Sequence, residues 1–285
     1  MGDRPYETRS EQRAFDGVQG FYTHESAACA GPMRVGVYLP PGAVGRGERV
    51  PAVYFLAGLS CTEETFALKA GAARLAAQLG LALVTPDTSP RGHRFPGDDA
   101  HWDFGLGASF YLDATEAPWR EAYRMERYIV DELPRWVEAH FPVSGRRRGV
   151  MGHSMGGHGA LTLALRNPGR YASLSAFAPI VAPSEVPWGQ KAFAGYLGPK
   201  GPAWEAHDAT ALVQRAPFAG EVLIDQGLDD RFLGRELRPE RFEAACTASG
   251  QRLTLRTHPG YDHSYFFVAT FVDDHLRHHA RALCG

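Results

Sequence analysis

A chain of 285 residues with 44% hydrophobic and 22% charged residues has the composition of a globular protein and ample apolar material for a core. Its formal net charge of -2 gives no support to a nucleic-acid or polyanionic partner. No apolar run reaches the length of a membrane span, the polar start lacks the apolar stretch of a secretory signal, and Tyr6 stands where a myristoylation motif needs Ser or Thr.

In chain order, Met33, Val35, Val37 and Leu39 alternate along a half-buried strand that Pro40-Pro41-Gly42 ends. Pro51–Ala57 is a continuous apolar run, as in a strand buried on both faces of a parallel sheet. A helix is expected over Phe66–Leu79 and a second buried strand over Leu81–Thr85. Asp87–Ala117 is rich in Pro, Gly and aromatics without periodicity, and an irregular stretch of that length in a compact domain is usually functional. A helix over Trp119–His140 and a strand over Arg148–Met151 follow. Next come a helix over Met155–Arg166, stopped by Asn167-Pro168-Gly169, and a strand over Leu174–Ala178. After an excursion to Arg215, strands over Val222–Asp225 and Leu253–Thr257 precede a last helix over Ser264–Leu283. This alternation predicts one α/β domain spanning residues 1–285, with a mostly parallel sheet and antiparallel strands at one edge.

The chemistry starts at Gly152-His153-Ser154-Met155-Gly156. The pentapeptide alone could be a loop that carries Gly, Ser and Gly by chance. Strand, turn and helix around it supply the context of a nucleophile elbow, in which a serine is held above a parallel sheet. The partners must then follow in the order acid, base, from loops after strands. His263, in Gly260-Tyr261-Asp262-His263-Ser264, is the expected general base. His258 is its rival. His153 and His158 lie too close to the elbow, and His275, His278 and His279 read as a solvated helix face. The spacing of those three would suit a metal, but no acidic or thiol partner is evident beside them, so none is expected. Asp229 and Asp230 are both candidate acids, and spacing does not separate them; Asp225 sits inside a strand. The oxyanion hole calls for the backbone N–H of Met155 and one from the loop Gly58-Leu59-Ser60, with Leu59 the expected donor. An imidazole base is lost on protonation, so hydrolysis is expected to fall below about pH 6–7. Cys29, Cys61, Cys246 and Cys284 are widely spaced and form no CxxC pair, as expected of free thiols. Cys61 carries a functional hint beside the oxyanion loop. Trp102, Trp119, Trp188 and Phe110 are candidates for a pocket wall, with core packing the alternative.

Several strings together resemble the S-formylglutathione hydrolase, or esterase D, family. They include Leu56-Ala57-Gly58-Leu59-Ser60-Cys61-Thr62-Glu63, Pro86-Asp87-Thr88-Ser89-Pro90-Arg91-Gly92 and Trp102-Asp103-Phe104-Gly105. Gly152 to Ala160, Pro187-Trp188-Gly189 and Gly260-Tyr261-Asp262-His263-Ser264-Tyr265 continue the likeness over nearly the whole chain. The resemblance implies an α/β-hydrolase fold with Ser154 as nucleophile, Asp230 rather than Asp229 as acid, and His263 as base. It implies cleavage of a small-molecule thioester, S-formylglutathione, to formate and glutathione in formaldehyde detoxification, with side activity on small esters. It further implies a cytoplasmic, often dimeric enzyme without a cofactor. Cys61 and Trp188, read from their places in the chain, are the candidate substrate-pocket residues, and no metal is expected. The chain departs from some members at His93 and at Val181-Ala182-Pro183-Ser184, where those members carry cysteine; neither site touches the triad. A feruloyl-type esterase or mycolyl-type acyltransferase, a general short-chain carboxylesterase, and a non-catalytic binding protein are the rival readings of the same fold.

Overall fold

The computed structural model describes residues 5–285. Its centre is a nine-stranded sheet in the order β1-β2-β3-β5-β4-β6-β7-β8-β9. β1 (Glu7–Ala14), β2 (Gly17–Ser26) and β3 (Gly31–Leu39) form an antiparallel edge, and β3 pairs antiparallel with β5 (Ala82–Pro86). From β5 onward the sheet is parallel, through β4 (Val50–Leu56), β6 (Val143–His153), β7 (Ser173–Phe177), β8 (Val222–Gly227) and β9 (Leu253–His258). Every residue of β4, β5, β7 and β8 is buried, as expected of strands covered on both faces, and this includes the polar Thr85, Ser173, Ser175, Asp225 and Gln226. Antiparallel strands were expected at this edge, but of the three only β3 was placed in the sequence. Glu7–Ala14 is almost wholly exposed and charged, so it carries no apolar period; pairing with β2 makes it a strand.

Two helices differ from expectation, and the excursion after β7 gains helices of its own. Phe66–Leu79 is two helices, Glu63–Lys69 and Ala73–Leu79, interrupted where Gly71 takes a left-handed φ of 68°. Trp119–His140 is a short turn over Trp119–Glu121, a break, then a continuous helical run from Met125 to His140 with a π-type turn at Tyr128–Glu132. The excursion after β7 folds into helices Pro187–Leu197, Pro202–Glu205 and Ala209–Arg215, and Pro239–Ser249 adds another before β9. Asp87–Ala117 has no named helix or strand, as expected, though isolated bridges such as His101–Phe104 and Gly105–Ala108 crimp it.

The final helix, Tyr265–Leu283, does not present His275, His278 and His279 to solvent; all three are buried. Ser173 and Ser175 of β7 meet both ring nitrogens of His279, at 2.6 and 2.9 Å. Ser175 Oγ also meets His275 Nδ1 at 2.8 Å, and His275 Nε2 lies 3.2 Å from Asp225 Oδ2. His278 Nε2 meets the Leu174 carbonyl at 3.1 Å. Arg256 donates two hydrogen bonds to Asp225, at 2.6 and 2.5 Å, and holds its carboxyl well below the usual range together with His275, against the opposing effect of burial. The histidines thus pin the last helix to the sheet through side chains on β7 and β8.

Candidate active site

Strand β6 ends at His153 and the helix Met155–Arg166 begins at once, so Ser154 carries the whole reversal with φ 59° and ψ -120°. A non-glycine residue in that region is held under strain of about 1–3 kcal/mol. The turn closes only because its neighbours are glycine. A Cβ on Gly152 would lie 2.1 Å from the Gly156 carbonyl oxygen, and one on Gly156 would lie 1.9 Å from the Leu56 carbonyl oxygen. The Ser154 N–H donates to Phe177 O at 3.0 Å, which ties the elbow to β7.

Asp230 follows β8, and His263 follows β9. His263 Nδ1 and Asp230 Oδ2 are 2.5 Å apart, and the Asp230 carboxylate also accepts the Phe232 N–H at 2.8 Å. Of the two candidate acids it is Asp230 that meets His263; among the described residues Asp229 Oδ1 receives only a long 3.4 Å contact from the Gly260 N–H. His258, the rival base, lies at the end of β9 with Nε2 3.2 Å from Asp225 Oδ1, bound into the network beneath the sheet. Asp225 belongs to the same buried network.

The Gly58–Cys61 loop faces the elbow. A Cβ on Gly58 would sit 3.2 Å from Ser154 Cβ. Among the described residues the Leu59 N–H has no acceptor, while Ser60 N donates to Gly107 O at 2.9 Å and Cys61 N to Gly58 O at 3.2 Å. Met155 opens its helix, so its N–H has no carbonyl one turn earlier to receive it. The irregular 87–117 segment buttresses this loop from behind. Thr88 Oγ1 and Arg91 Nη2 donate to Cys61 O at 2.6 and 3.1 Å, and Tyr111 Oη donates to Ala57 O at 2.8 Å. Arg91 is in turn locked to Asp87 at 2.8 and 3.0 Å.

Ser154, His263, Leu59, Cys61 and Trp188 line one cavity of about 230 Å³. Trp102 shares its wall and meets Trp188 edge to face with centroids 5.4 Å apart. Phe110 and Trp119 do not line it; both are packed in the core. The reading of single residues missed His153, Arg231, Phe232 and Tyr265, which complete the cavity. Their signal was adjacency to the elbow, to Asp230 and to His263. His153 is buried, its ring 4.5 Å from that of His263, and burial followed by the repulsion of His263 pushes its pKa well down, so it stays neutral.

All four cysteines are free, and burial pushes the Cys61 thiol pKa up. Alkylation at neutral pH is expected to modify exposed Cys284 first without loss of activity, and then to abolish hydrolysis as Cys61 is labelled and the adduct fills the cavity. Peptide mass mapping against residual activity checks this; full activity after stoichiometric Cys61 labelling would contradict it.

Among the described residues no helix is long and apolar enough to cross a membrane. The Esterase family model matches residues 26–278. The S-formylglutathione hydrolase of Mus musculus is 50% identical over 278 residues, covering 96% of this chain and 97% of that protein. That of Paracoccus denitrificans is 51% identical over 278 residues, covering 98% of each. The solved structure of an S-formylglutathione hydrolase from Agrobacterium tumefaciens superposes with a TM-score of 0.94 at 48% identity, covering 97% of this chain and 99% of that one. A ferulic acid esterase at 18% identity and TM-score 0.74 shares the fold alone. The mixed, mostly parallel sheet with its elbow after β6 is the α/β-hydrolase fold, and by sequence and structure the chain belongs to the esterase family, among the S-formylglutathione hydrolases.

Proposed function

We propose that this chain hydrolyses S-formylglutathione to formate and glutathione and acts more slowly on small activated esters. The observation that carries the reading is identity of about half over nearly full length to hydrolases of that name, in a chain whose His263–Asp230 pair opens on the Ser154 cavity. Asp230 accepts the Nδ1–H of His263, which leaves Nε2 free as the base. His263 takes the proton of Ser154 as Oγ attacks the formyl carbon. The N–H groups of Leu59 and Met155 receive the oxyanion. Collapse breaks the C–S bond and expels glutathione as a weakly basic thiolate, and protonated His263 gives its proton to the departing sulfur, which leaves the imidazole neutral for the second step. Water, deprotonated by His263, then attacks the formyl ester on Ser154 and releases formate. Leu59, Cys61 and Trp188 form the wall against the acyl group, and a cavity of about 230 Å³ suits a small one. The chemistry needs no cofactor.

The test is to compare kcat/KM for S-formylglutathione, S-acetylglutathione and a nitrophenyl acetate. The reading expects the formyl thioester to be fastest; a preference for the nitrophenyl ester would make the chain a general short-chain carboxylesterase. The free thiols fit a reducing, cytoplasmic setting. The dimer implied by the resemblance is checked by light scattering.

A further inference from the structure

A second cleft, of about 510 Å³, opens beside the catalytic cavity and shares four wall residues with it: Trp102, Trp188, Arg231 and Phe232. The new part of the wall is charged. Lys191 Nζ lies 2.5 Å from Asp103 Oδ1, and Arg235 Nε lies 3.4 Å from Glu236 Oε1. Arg231 is exposed, with its guanidinium 4.6 Å over the Phe232 ring and, among the described residues, no carboxylate partner. Trp102 adds an indole that is 57% exposed at the rim, a large apolar surface left open to water.

We propose that this cleft is the subsite for the peptide half of the thioester, with Arg231 as the anchor for a carboxylate and the Lys191–Asp103 pair as the seat of an amino-acid zwitterion. The inference rests on the function proposed above. The ligand class is a γ-glutamyl tripeptide. It offers one lone carboxylate at its glycine end and an adjacent ammonium and carboxylate at its glutamyl end. The cleft offers one unpaired cation and two cation–anion pairs, Lys191–Asp103 and Arg235–Glu236, and in the second the Glu236 carboxylate is already engaged by the Trp188 N–H at 2.9 Å. A guanidinium without a partner gains most from a carboxylate, because it can form two parallel charge-assisted hydrogen bonds. Lys191 and Asp103 each have a further lone pair or proton to offer beyond their mutual contact. The acyl cavity itself presents no comparable set of charges for these groups. Arg231 thereby discriminates between substrates, since a small ester has nothing for it to hold.

The experiment uses the full chain with Arg231→Glu, Arg231→Lys and Asp103→Asn. Two readouts are taken: kcat/KM on S-formylglutathione relative to nitrophenyl acetate, and inhibition of nitrophenyl acetate hydrolysis by S-methylglutathione, which cannot turn over. Arg231→Glu is expected to lower the thioester-to-ester ratio by about 10- to 100-fold, mainly through KM, and to weaken S-methylglutathione inhibition by a similar factor. Arg231→Lys keeps the charge without the second parallel hydrogen bond and so retains part of both, and Asp103→Asn weakens both by a smaller factor. Added salt raises KM for the thioester in wild type more than in Arg231→Glu. Equal losses on the two substrates would place Arg231 in support of the neighbouring Asp230 and overturn the proposal, as would an unchanged ratio. Failure of S-methylglutathione to inhibit wild type would overturn it too. A wild type that S-methylglutathione inhibits through Arg231, yet that leaves S-formylglutathione intact, would sink the proposed activity and keep the cleft.

Discussion

Replacing Ser154 by alanine is expected to lower hydrolysis of thioester and ester alike by about 10⁴- to 10⁶-fold, the scale of losing the nucleophile in a serine triad. The fold should survive, because Ser154 contributes mainly backbone contacts, its N–H to Phe177 O at 3.0 Å and its C=O to the His158 N–H at 3.0 Å. Residual catalysis would come from the Leu59 and Met155 amides. A companion variant separates chemistry from strain. Ser154 sits at φ 59°, a conformation that costs a residue with a Cβ but not glycine. Ser154→Gly is therefore expected to be as inactive as Ser154→Ala and about 1 kcal/mol more stable. Steady-state rates, urea unfolding and mass spectrometry of the acyl-enzyme after nitrophenyl acetate check the set. A Ser154→Ala protein that keeps more than about a hundredth of the activity would refute the assignment.

Acidification from pH 6.5 to 5 is expected to cost up to about 5 kcal/mol of stability, a large part of the 5–15 kcal/mol typical of a domain. The cause is a set of histidines held neutral in the folded chain. Burial pushes His153 and His279 well below the ordinary range and His158 down to about 3. Their folded values lie below the unfolded value near 6.5, so the unfolded chain takes up protons first as pH falls. The stability they contribute is whole above about pH 6.5 and drains away below it, at up to about 1.4 kcal/mol per pH unit for each. Burial lowers His275 as well, with Asp225 opposing it, so its share is smaller. Urea unfolding at pH 7.5, 6.5 and 5.0 measures the slope. A flat profile would mean that these rings reach water or are protonated in the native state. His158→Gln should remove about a quarter to a third of the slope if the three contribute equally.

The final helix shows where reading a sequence stops. Asp273, Asp274, Arg277 and Arg281 surround His275, His278 and His279, so the local pattern is that of a wet face. Ser173, Ser175 and Asp225 stand about a hundred residues or fewer before them and offer buried partners, and only the folded sheet brings these to the helix. The same limit applied to the acid. Asp229 and Asp230 are adjacent in one loop, and which carboxylate turns to His263, 33 residues later, depends on how two loops after neighbouring strands pack. The antiparallel edge was expected, but β1 and β2 were not placed, for the converse reason. Their state comes from pairing, and β1 has no buried face to leave an apolar period.

By itself the sequence determined the elbow, the buried parallel strands and the chain order of Ser154, the Asp229-Asp230 loop and His263. Those features are local: they follow from the bulk of residues next to one another and from the period of apolar side chains. Tertiary structure decided which carboxylate meets His263, which histidines are buried, and which aromatics form the wall of the cavity. Those choices depend on contacts between residues far apart in the chain, where hydrogen-bond partners and excluded water are set by packing and leave no mark on neighbouring residues.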